Sequence, residues 1–144
     1  MSQFKGSSYA SALATLHALC FVDPWSEDNF RNILNLPTTF GIGDEKGFIL
    51  YSDLGNDLEI LTIAVHPDYR RKGIATNLIK ELQNFAQKNQ KGKIFLEVNV
   101  KNTPAIQLYL NNGFIQSGIR KNYYHEQGQT FDALCFCWQQ KNSV

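Results

Sequence analysis

A run of cations followed by a glycine stands between a predicted buried strand and a predicted helix. Arg70, Arg71 and Lys72 are consecutive, Gly73 follows them, and the small Ala75 keeps the next turn clear. The N-terminus of a helix presents unpaired backbone N–H groups and roughly half a positive charge. A glycine at this point lets an anion approach the backbone closely. The spacing therefore predicts a phosphate or pyrophosphate site, although a solvated basic loop would give the same short pattern.

Sequence patterns of other common sites are missing. The chain contains neither G-x-x-x-x-G-K-[ST] nor G-x-G-x-x-G, so the predicted anion site is not one of the two common phosphate loops. The three histidines form no H-x-x-x-H or H-E-x-x-H pattern, and Cys135 and Cys137 have C-x-C rather than C-x-x-C spacing. We therefore expect no metal site.

Two residues are candidates for proton transfer. Glu97 is a carboxylate inside an otherwise apolar strand, on the side away from the aliphatic row, and could act as a general base. A strand-edge glutamate paired with a neighbouring lysine is the alternative. Tyr109 shares a helical face with Ala105 and Leu108, a pattern that is more typical of a core aromatic than of a catalytic residue.

The elements that must position these residues follow from hydrophobic periodicity and turn residues. The expected order is ααβββαβαββ, an α/β architecture with no strand before Tyr9. Ser26 is expected to cap the second helix and Thr103 the fourth, with Pro104 at the first helical position. Val100 is expected to face the same way as the apolar residues of the strand before it. The predicted elements are helices over Tyr9–Phe21 and Ser26–Leu34, strands over Thr39–Ile42, Gly47–Tyr51 and Leu58–Val65, a helix from Ile74, a strand over Lys93–Val100, a helix from Thr103 to Gly113, and strands over Phe114–Tyr124 and Thr130–Trp138.

Length and composition limit the class of protein. The 144 residues suit a single domain over 1–144, and 14 Lys and Arg against 13 Asp and Glu give a net charge of +1. A near-neutral balance argues against a protein that coats nucleic acid or an anionic membrane. There is no signal-peptide pattern and no apolar run long enough for a bilayer, and an odd number of cysteines suits a reducing compartment. We therefore expect a cytoplasmic protein without a direct nucleic-acid or membrane partner.

The ordered motifs resemble one family. Arg70-x-x-Gly73-x-Ala75, preceded by Ile63-Ala64-Val65-His66-Pro67, is similar to the R/Q-x-x-G-x-G/A acetyl-CoA motif of the GNAT N-acetyltransferases. The second half of the chain resembles the RimI-like branch, the ribosomal-protein-alanine N-acetyltransferases. The motifs that carry this second resemblance are Phe21-x-x-Pro24-Trp25-Ser26, Leu96-Glu97-Val98, Asn102, Leu108-Tyr109, Gly113-Phe114 and Arg120-Lys121-Asn122-Tyr123-Tyr124.

The resemblance implies a GNAT fold and a cofactor site. The fold would be a mixed central sheet of six to seven strands with about four helices, in which the strand after the cofactor helix splays away from Leu58–Val65. Acetyl-CoA would be the co-substrate, without a metal. The backbone of Ile63, Ala64 and Val65 would meet its pantetheine arm. Asn102 would contact the cofactor, cap the helix, or do both. The pyrophosphate of acetyl-CoA would be held by the backbone N–H groups of Arg71, Lys72, Gly73, Ile74, Ala75 and Thr76.

The resemblance also implies a reaction. Glu97 would accept a proton from the amine, Tyr109 would protonate the leaving thiolate, and Tyr124 would line the acceptor cleft. The acceptor would be the N-terminal amine of a protein, namely a ribosomal protein that begins with Ala or Ser, and the enzyme would be a monomer or weak dimer. A lysine side chain or small amine as acceptor, or a CoA-binding regulatory domain without turnover, are the alternatives. Asn99 stands where many RimI-like proteins have arginine, which leaves acceptor recognition open.

Overall fold

The structure, a computed structural model, describes residues 2–141. These residues form seven β-strands and four α-helices, with short 3-10 turns at Ser7–Tyr9 and Pro67–Tyr69. In chain order the elements are β1 Ser2–Phe4, α1 Ala10–Ala18, α2 Glu27–Leu34, β2 Thr39–Asp44, β3 Gly47–Asp53, β4 Leu58–Val65, α3 Ile74–Lys88, β5 Lys93–Asn99, α4 Thr103–Asn111, β6 Ile115–Glu126 and β7 Gln129–Gln139.

The seven strands within residues 2–141 make one mixed sheet in the order β1-β2-β3-β4-β5-β7-β6. In this part of the chain only β4 and β5 run parallel, joined through α3, and the other neighbours are antiparallel. A crossover helix between parallel neighbours is the βαβ unit that the alternation around Gly73 indicates. The predicted mixed sheet of six to seven strands with four helices is confirmed.

The expectation that no strand precedes Tyr9 is wrong. Ser2–Phe4 pairs with Gly41–Gly43 of β2 and forms one edge of the sheet. The Phe4 ring lies over Gly41, where a larger residue would clash with it, and Gln3 Nε2 donates to the Tyr51 hydroxyl at 2.5 Å. A three-residue strand has too little pattern for periodicity to find, so these tertiary contacts decide its conformation.

Each face of the sheet carries a pair of helices. On one face, α3 and α4 pack over the central strands around a core that includes Leu78, Leu82 and Tyr109. On the other face, α1 and α2 enclose a second core that includes Leu13 and Phe30. The predicted cap of α2 is confirmed, since the Ser26 side chain accepts from the Asn29 N–H. None of the helices in residues 2–141 is long and apolar enough to cross a membrane.

His17 of α1 is buried and joins three segments. Its Nδ1 accepts from the Trp25 N–H at 3.1 Å, and its Nε2 lies 3.1 Å from the Thr62 hydroxyl of β4. A ring whose Nδ1 is an acceptor carries its proton on Nε2 when neutral, so Nε2 donates to Thr62. Phe21 stacks on the ring at a centroid distance of 4.1 Å. Burial lowers the pKa of His17 from 6.5 to about 4.

We predict that His17 makes the fold less stable in acid. The unfolded chain takes up a proton on this residue as the pH falls through 6.5, whereas the folded chain does so only near 4. The free energy of unfolding should therefore fall by about 3 kcal/mol between pH 7 and pH 4 on account of this residue. Chemical denaturation of the wild type and His17→Gln at both pH values measures this contribution.

The advantage of the wild type over His17→Gln should shrink by that amount in acid. His66→Gln, which changes a histidine outside both cores, is the matched control and should follow the wild type. An advantage of the same size at pH 7 and pH 4 would show that His17 does not cause the acid sensitivity.

Candidate active site

A slot opens in the middle of the sheet because β4 and β5 stop pairing part-way. Their ladder runs from Leu58 opposite Ile94 to Ile60 opposite Leu96 and then ends. At the same point the register of β4 against β3 shifts, with Leu61 as the extra residue. A β-bulge bends the strand that carries it, so β4 turns away from β5 beyond Ile60. The backbone of β4 after Leu61 therefore has no ladder partner on its β5 side.

The cationic loop reaches the N-terminus of α3 at the open end of this slot. Arg71 has φ 63° and Gly73 has φ 77°, both left-handed. Gly73 is the N-cap of α3, and no side chain among residues 2–141 caps this helix end. The N–H groups of its first turn are thus left for an outside acceptor. A left-handed non-glycine residue costs roughly 1 kcal/mol or more, a strain typical of functional loops.

The space beside Gly73 suits an anion. Apart from the adjoining backbone and the two chain neighbours of Gly73, no heavy atom of the described part of the chain lies within 4 Å of where a Cβ on Gly73 would stand. Successive N–H groups around left-handed residues form a concave anion site, and the positive end of the helix dipole adds to it. The structure therefore fits the pyrophosphate group implied by the motif at Arg71–Thr76.

The side chain of Arg70 braces the loop rather than the ligand. Its Nε donates to the Val65 carbonyl at 3.2 Å, and the Cys20 thiol donates to the same oxygen at 3.3 Å. Within the predicted cofactor strand, Ala64 is buried against the α1 side and Ile63 packs towards α3. The backbone of Ile63–Val65 pairs with β3 on one edge, which leaves its β5 side to meet a ligand, and the Val65 carbonyl already has protein partners.

Glu97 is the first β5 residue beyond the paired region. It lies on the face away from α3, opposite Cys135 of β7, and its side chain is 21% exposed. Its Oε1 is 3.4 Å from Arg120 Nε, so the partner is an arginine of β6 and not the neighbouring lysine of the alternative interpretation. Its Oε2 is buried without a hydrogen-bond partner among residues 2–141. The carboxylate lines a cavity of about 260 Å³.

Two tyrosines lie near the end of β5. Tyr109 is 4% exposed and packs on Phe114 and Phe136, so it is a core residue as its pattern indicates. The Tyr124 hydroxyl donates to the Glu97 carbonyl at 3.3 Å. Burial raises the pKa of Tyr109 well above 10, and burial raises the pKa of Tyr124 to about 12. Both hydroxyls therefore keep their protons at neutral pH and can act as donors.

Tyr109 and Glu97 come from opposite faces of the sheet. Tyr109 belongs to the core beneath α3, whereas Glu97 faces the α1 side. Tyr124 interacts electrostatically with both residues. The charge of Glu97 raises the pKa of Tyr124, and a charge on Tyr124, if it ionised, would raise the pKa of Tyr109. Glu97 and Tyr109 therefore lie on opposite faces of the sheet with Tyr124 near both, and their roles in proton transfer stay a prediction.

Asn102 is the N-cap of α4. Its Oδ1 accepts from the Ala105 N–H at 3.3 Å. The expectation that Thr103 is the cap is wrong by one residue, since Thr103 is the first helical residue and Pro104 the second. A carbonyl oxygen on a short side chain caps as well as a hydroxyl, so periodicity alone does not separate the two. Contact of Asn102 with a cofactor stays a prediction.

The end of β5 differs from its predicted pattern. The strand ends at Asn99, which is 8% exposed, and Val100 is 42% exposed rather than in line with the buried row. Asn99 Nδ2 donates to Glu126 of β6 at 3.5 Å, and Lys101 pairs with the same carboxylate. Asn99 and Lys101 thus both contact Glu126 at the end of β5.

Two charged residues of the Glu97 cavity are missed by the sequence patterns. Glu59 of β4 and Arg120 of β6 both line it. The available signal for Glu59 is a carboxylate in an otherwise apolar strand, the same signal that picks out Glu97. Among residues 2–141, no three His, Cys, Asp or Glu side chains are grouped as a metal ion requires.

A family comparison agrees with the slot and the loop. The model of the acetyltransferase (GNAT) family matches residues 10–114. The chain belongs to the GNAT acetyltransferases. The N-alpha-acetyltransferase RimI of Mycobacterium tuberculosis is 35% identical over 130 residues, which cover 83% of this chain and 80% of that protein.

Solved structures show the same fold. The ribosomal-protein-S18-alanine N-acetyltransferase of Escherichia coli superposes with a TM-score of 0.86 at 25% identity and covers 99% of this chain and 94% of that one. NAA60 of Arabidopsis thaliana, solved in complex with acetyl-CoA, has a TM-score of 0.78 at 22% identity, with 96% and 98% covered. The second likeness concerns the fold alone.

We predict that Asn102→Ala lowers the free energy of unfolding by about 1 kcal/mol, because the Ala105 N–H loses its acceptor. Asn102→Asp keeps an acceptor at a helix N-terminus and should keep the stability. Thr103→Ala is the matched control and should have a smaller effect than Asn102→Ala. Denaturant titration of the four proteins at pH 7 measures this, and a larger loss for Thr103→Ala would contradict the cap assignment.

Proposed function

We propose that this protein is an acetyl-CoA-dependent N-alpha-acetyltransferase, and that its acceptor is the N-terminal amine of a ribosomal protein that begins with Ala or Ser. The observation that supports the proposal is the slot where the β4–β5 ladder ends, with the uncapped N-terminus of α3 near it and Glu97 just beyond the last β5 residue in that ladder. The names of the Mycobacterium tuberculosis and Escherichia coli relatives support the acceptor class.

The chain would hold acetyl-CoA by its backbone. The pyrophosphate would be bound by the backbone N–H groups of Arg71, Lys72, Gly73, Ile74, Ala75 and Thr76. The backbone of Ile63–Val65 would hydrogen-bond to the amides of the pantetheine arm, as one β-strand does to another. Asn102 would contribute from the start of α4. Acetyl-CoA supplies an acetyl group on a good leaving thiol, so no metal is required to activate it.

Glu97 and Tyr109 would move the protons. The acceptor enters as an ammonium, and Glu97 takes one proton from it so that the nitrogen gains a free electron pair. The new N–C bond forms as the C–S bond breaks, and Tyr109 gives a proton to the departing sulfur. The nitrogen loses two protons in all: one leaves to solvent through Glu97 and one replaces the proton that Tyr109 gave. No covalent acyl-enzyme is involved.

Other features of the proposal concern the whole chain. Residues 1–144 would act as one domain, as a monomer or weak dimer. An acceptor on a ribosomal protein would place the reaction in the cytoplasm. Tyr124, with its hydroxyl on the Glu97 carbonyl, would line the cleft that receives the peptide.

Mass spectrometry with acetyl-CoA and a peptide panel tests the proposed function. The panel contains free N-termini that begin with Ala, Ser and Met, the same peptides blocked at the N-terminus, and internal-lysine controls. Product on the free Ala and Ser peptides alone is the expected result. Product on the blocked lysine peptides would make the enzyme a side-chain acetyltransferase. Bound acetyl-CoA without product on any peptide would favour a regulatory domain.

We predict that Glu97→Gln and Tyr109→Phe each lower kcat by about 100-fold or more, because each removes one proton-transfer group. The affinity for acetyl-CoA, measured by calorimetry, should stay unchanged. Glu45→Gln, in the β2–β3 turn, is the control and should keep the wild-type rate. Wild-type turnover by Glu97→Gln would remove its role as base.

Gly73→Val should weaken the binding of acetyl-CoA rather than lower kcat, in contrast to Glu97→Gln and Tyr109→Phe. A β-branched residue at φ 77° is strained and would crowd the anion site, so affinity for acetyl-CoA should fall by about tenfold or more. At saturating acetyl-CoA, kcat should recover towards the wild-type value. An unchanged dissociation constant would show that the pyrophosphate does not bind at this helix end.

A further inference from the structure

Three charged side chains from three different strands line the cavity of about 260 Å³ beside the slot. They are Glu59 of β4, Glu97 of β5 and Arg120 of β6. Glu59 stands opposite Phe95 in the parallel ladder. Phe95 is two residues before Glu97 on β5, so Glu59 and Glu97 share a face of the sheet. This places two carboxylates and one guanidinium around a single space.

Arg120 holds one oxygen of Glu97 and leaves the other. Arg120 Nε is 3.4 Å from Glu97 Oε1, and the arginine side chain is 59% exposed. Glu97 Oε2 is buried, and no residue in the range 2–141 hydrogen-bonds to it. A buried carboxylate oxygen without a hydrogen-bond donor is costly. An N–H group of the substrate amine would supply the missing donor.

Glu59 acts on the same pair through its charge. Burial raises the pKa of Glu59, the charge of Glu97 raises it further, and Arg120 lowers it. The two carboxylates therefore repel one another, and both are attracted to Arg120. Together the three side chains carry a net charge of −1 when both glutamates are ionised, which complements one ammonium group.

We infer that Glu59 and Arg120 are positioning residues for Glu97. Arg120 orients the carboxylate by its Oε1 so that Oε2 is free for the substrate amine, and Glu59 offsets the positive charge of Arg120. This inference rests on the proposed function, in which Glu97 is the base. In that step an N–H bond of the ammonium breaks and an O–H bond forms on Glu97, which later releases the proton to solvent.

Other groups near Glu97 set the background for this effect. The Tyr124 hydroxyl of β6 donates to the Glu97 carbonyl, and Cys135 of β7 lies opposite it and lines the same cavity. Burial raises the pKa of Tyr124 to about 12, so its proton stays in place from pH 5 to 8. Changes at Glu59 and Arg120 can therefore be read without titration of Tyr124.

The test is the dependence of kcat on pH with acetyl-CoA and an Ala-starting peptide both saturating. Glu59→Gln removes a negative charge, so the midpoint of the acidic limb should shift to lower pH by about one unit. The plateau value of kcat should fall as well. Arg120→Gln removes a positive charge, so the limb should move up by about one pH unit. Arg120→Lys keeps the charge and should return the limb towards the wild-type position.

Lys121→Gln and Glu45→Gln are the matched controls, each removing one charge of the same sign elsewhere, and should leave the limb in place. Carbon-13 NMR titration of the Glu97 carboxyl in the free protein gives a second measurement that needs no acceptor. Its midpoint should move in the same two opposite directions, and thermal melting verifies that each variant is folded.

The two measurements separate the two possible failures. If the NMR midpoints move as expected but the wild type acetylates no N-terminal amine, the charge coupling stands and the proposed function fails. If the midpoint of Glu97 stays constant in folded Glu59→Gln and Arg120→Gln, the inference is overturned. Rates that fall while limb and midpoint stay fixed would show a merely structural role and would also overturn it.

Discussion

The end of the parallel ladder between β4 and β5 is the constraint on which the rest of the structure depends. Two parallel strands normally pair along their length, but the extra residue at Leu61 bends β4 as soon as Ile60 has paired with Leu96. Backbone groups in the interior of a sheet are costly when unpaired. A ligand with its own amides could supply the missing partners, so the interrupted ladder suits the pantetheine arm of the proposed co-substrate.

This interruption gives the two faces of the sheet different tasks in the proposed reaction. The face under α3 carries the anion site at Gly73 and the buried Tyr109, which suit the donor and its leaving thiol. The other face carries Glu97, and its helices are tied to β4 by His17, which joins Trp25 to Thr62 just beyond the bulge. In the proposed reaction, donor and acceptor would meet at the slot, where the β4–β5 ladder ends.

Local features were readable from the sequence, and long-range ones were not. The Gly73 loop was predicted because glycine, cations and a helix start lie together in the chain, and the bounds of Leu58–Val65 were predicted correctly. The bulge at Leu61 was not, since an unbroken apolar run has no sign of a register shift. The contact of Arg120 with Glu97 is not predictable from the sequence, because β7 lies between β5 and β6. Which residues meet depends on the pairing register of β6 with β7, and that register shifts at two places. A three-residue strand such as β1 has too few residues to show a period.

The environment of Glu97 suits the role of base that we propose for it. A fully buried glutamate would be protonated, and a fully exposed one would be hydrated and poorly oriented. Glu97 is between these limits: its side chain is 21% exposed, and Arg120 contacts one oxygen from the solvent side. The second carboxylate, Glu59 of the neighbouring strand, lines the same cavity and offsets the positive charge of Arg120.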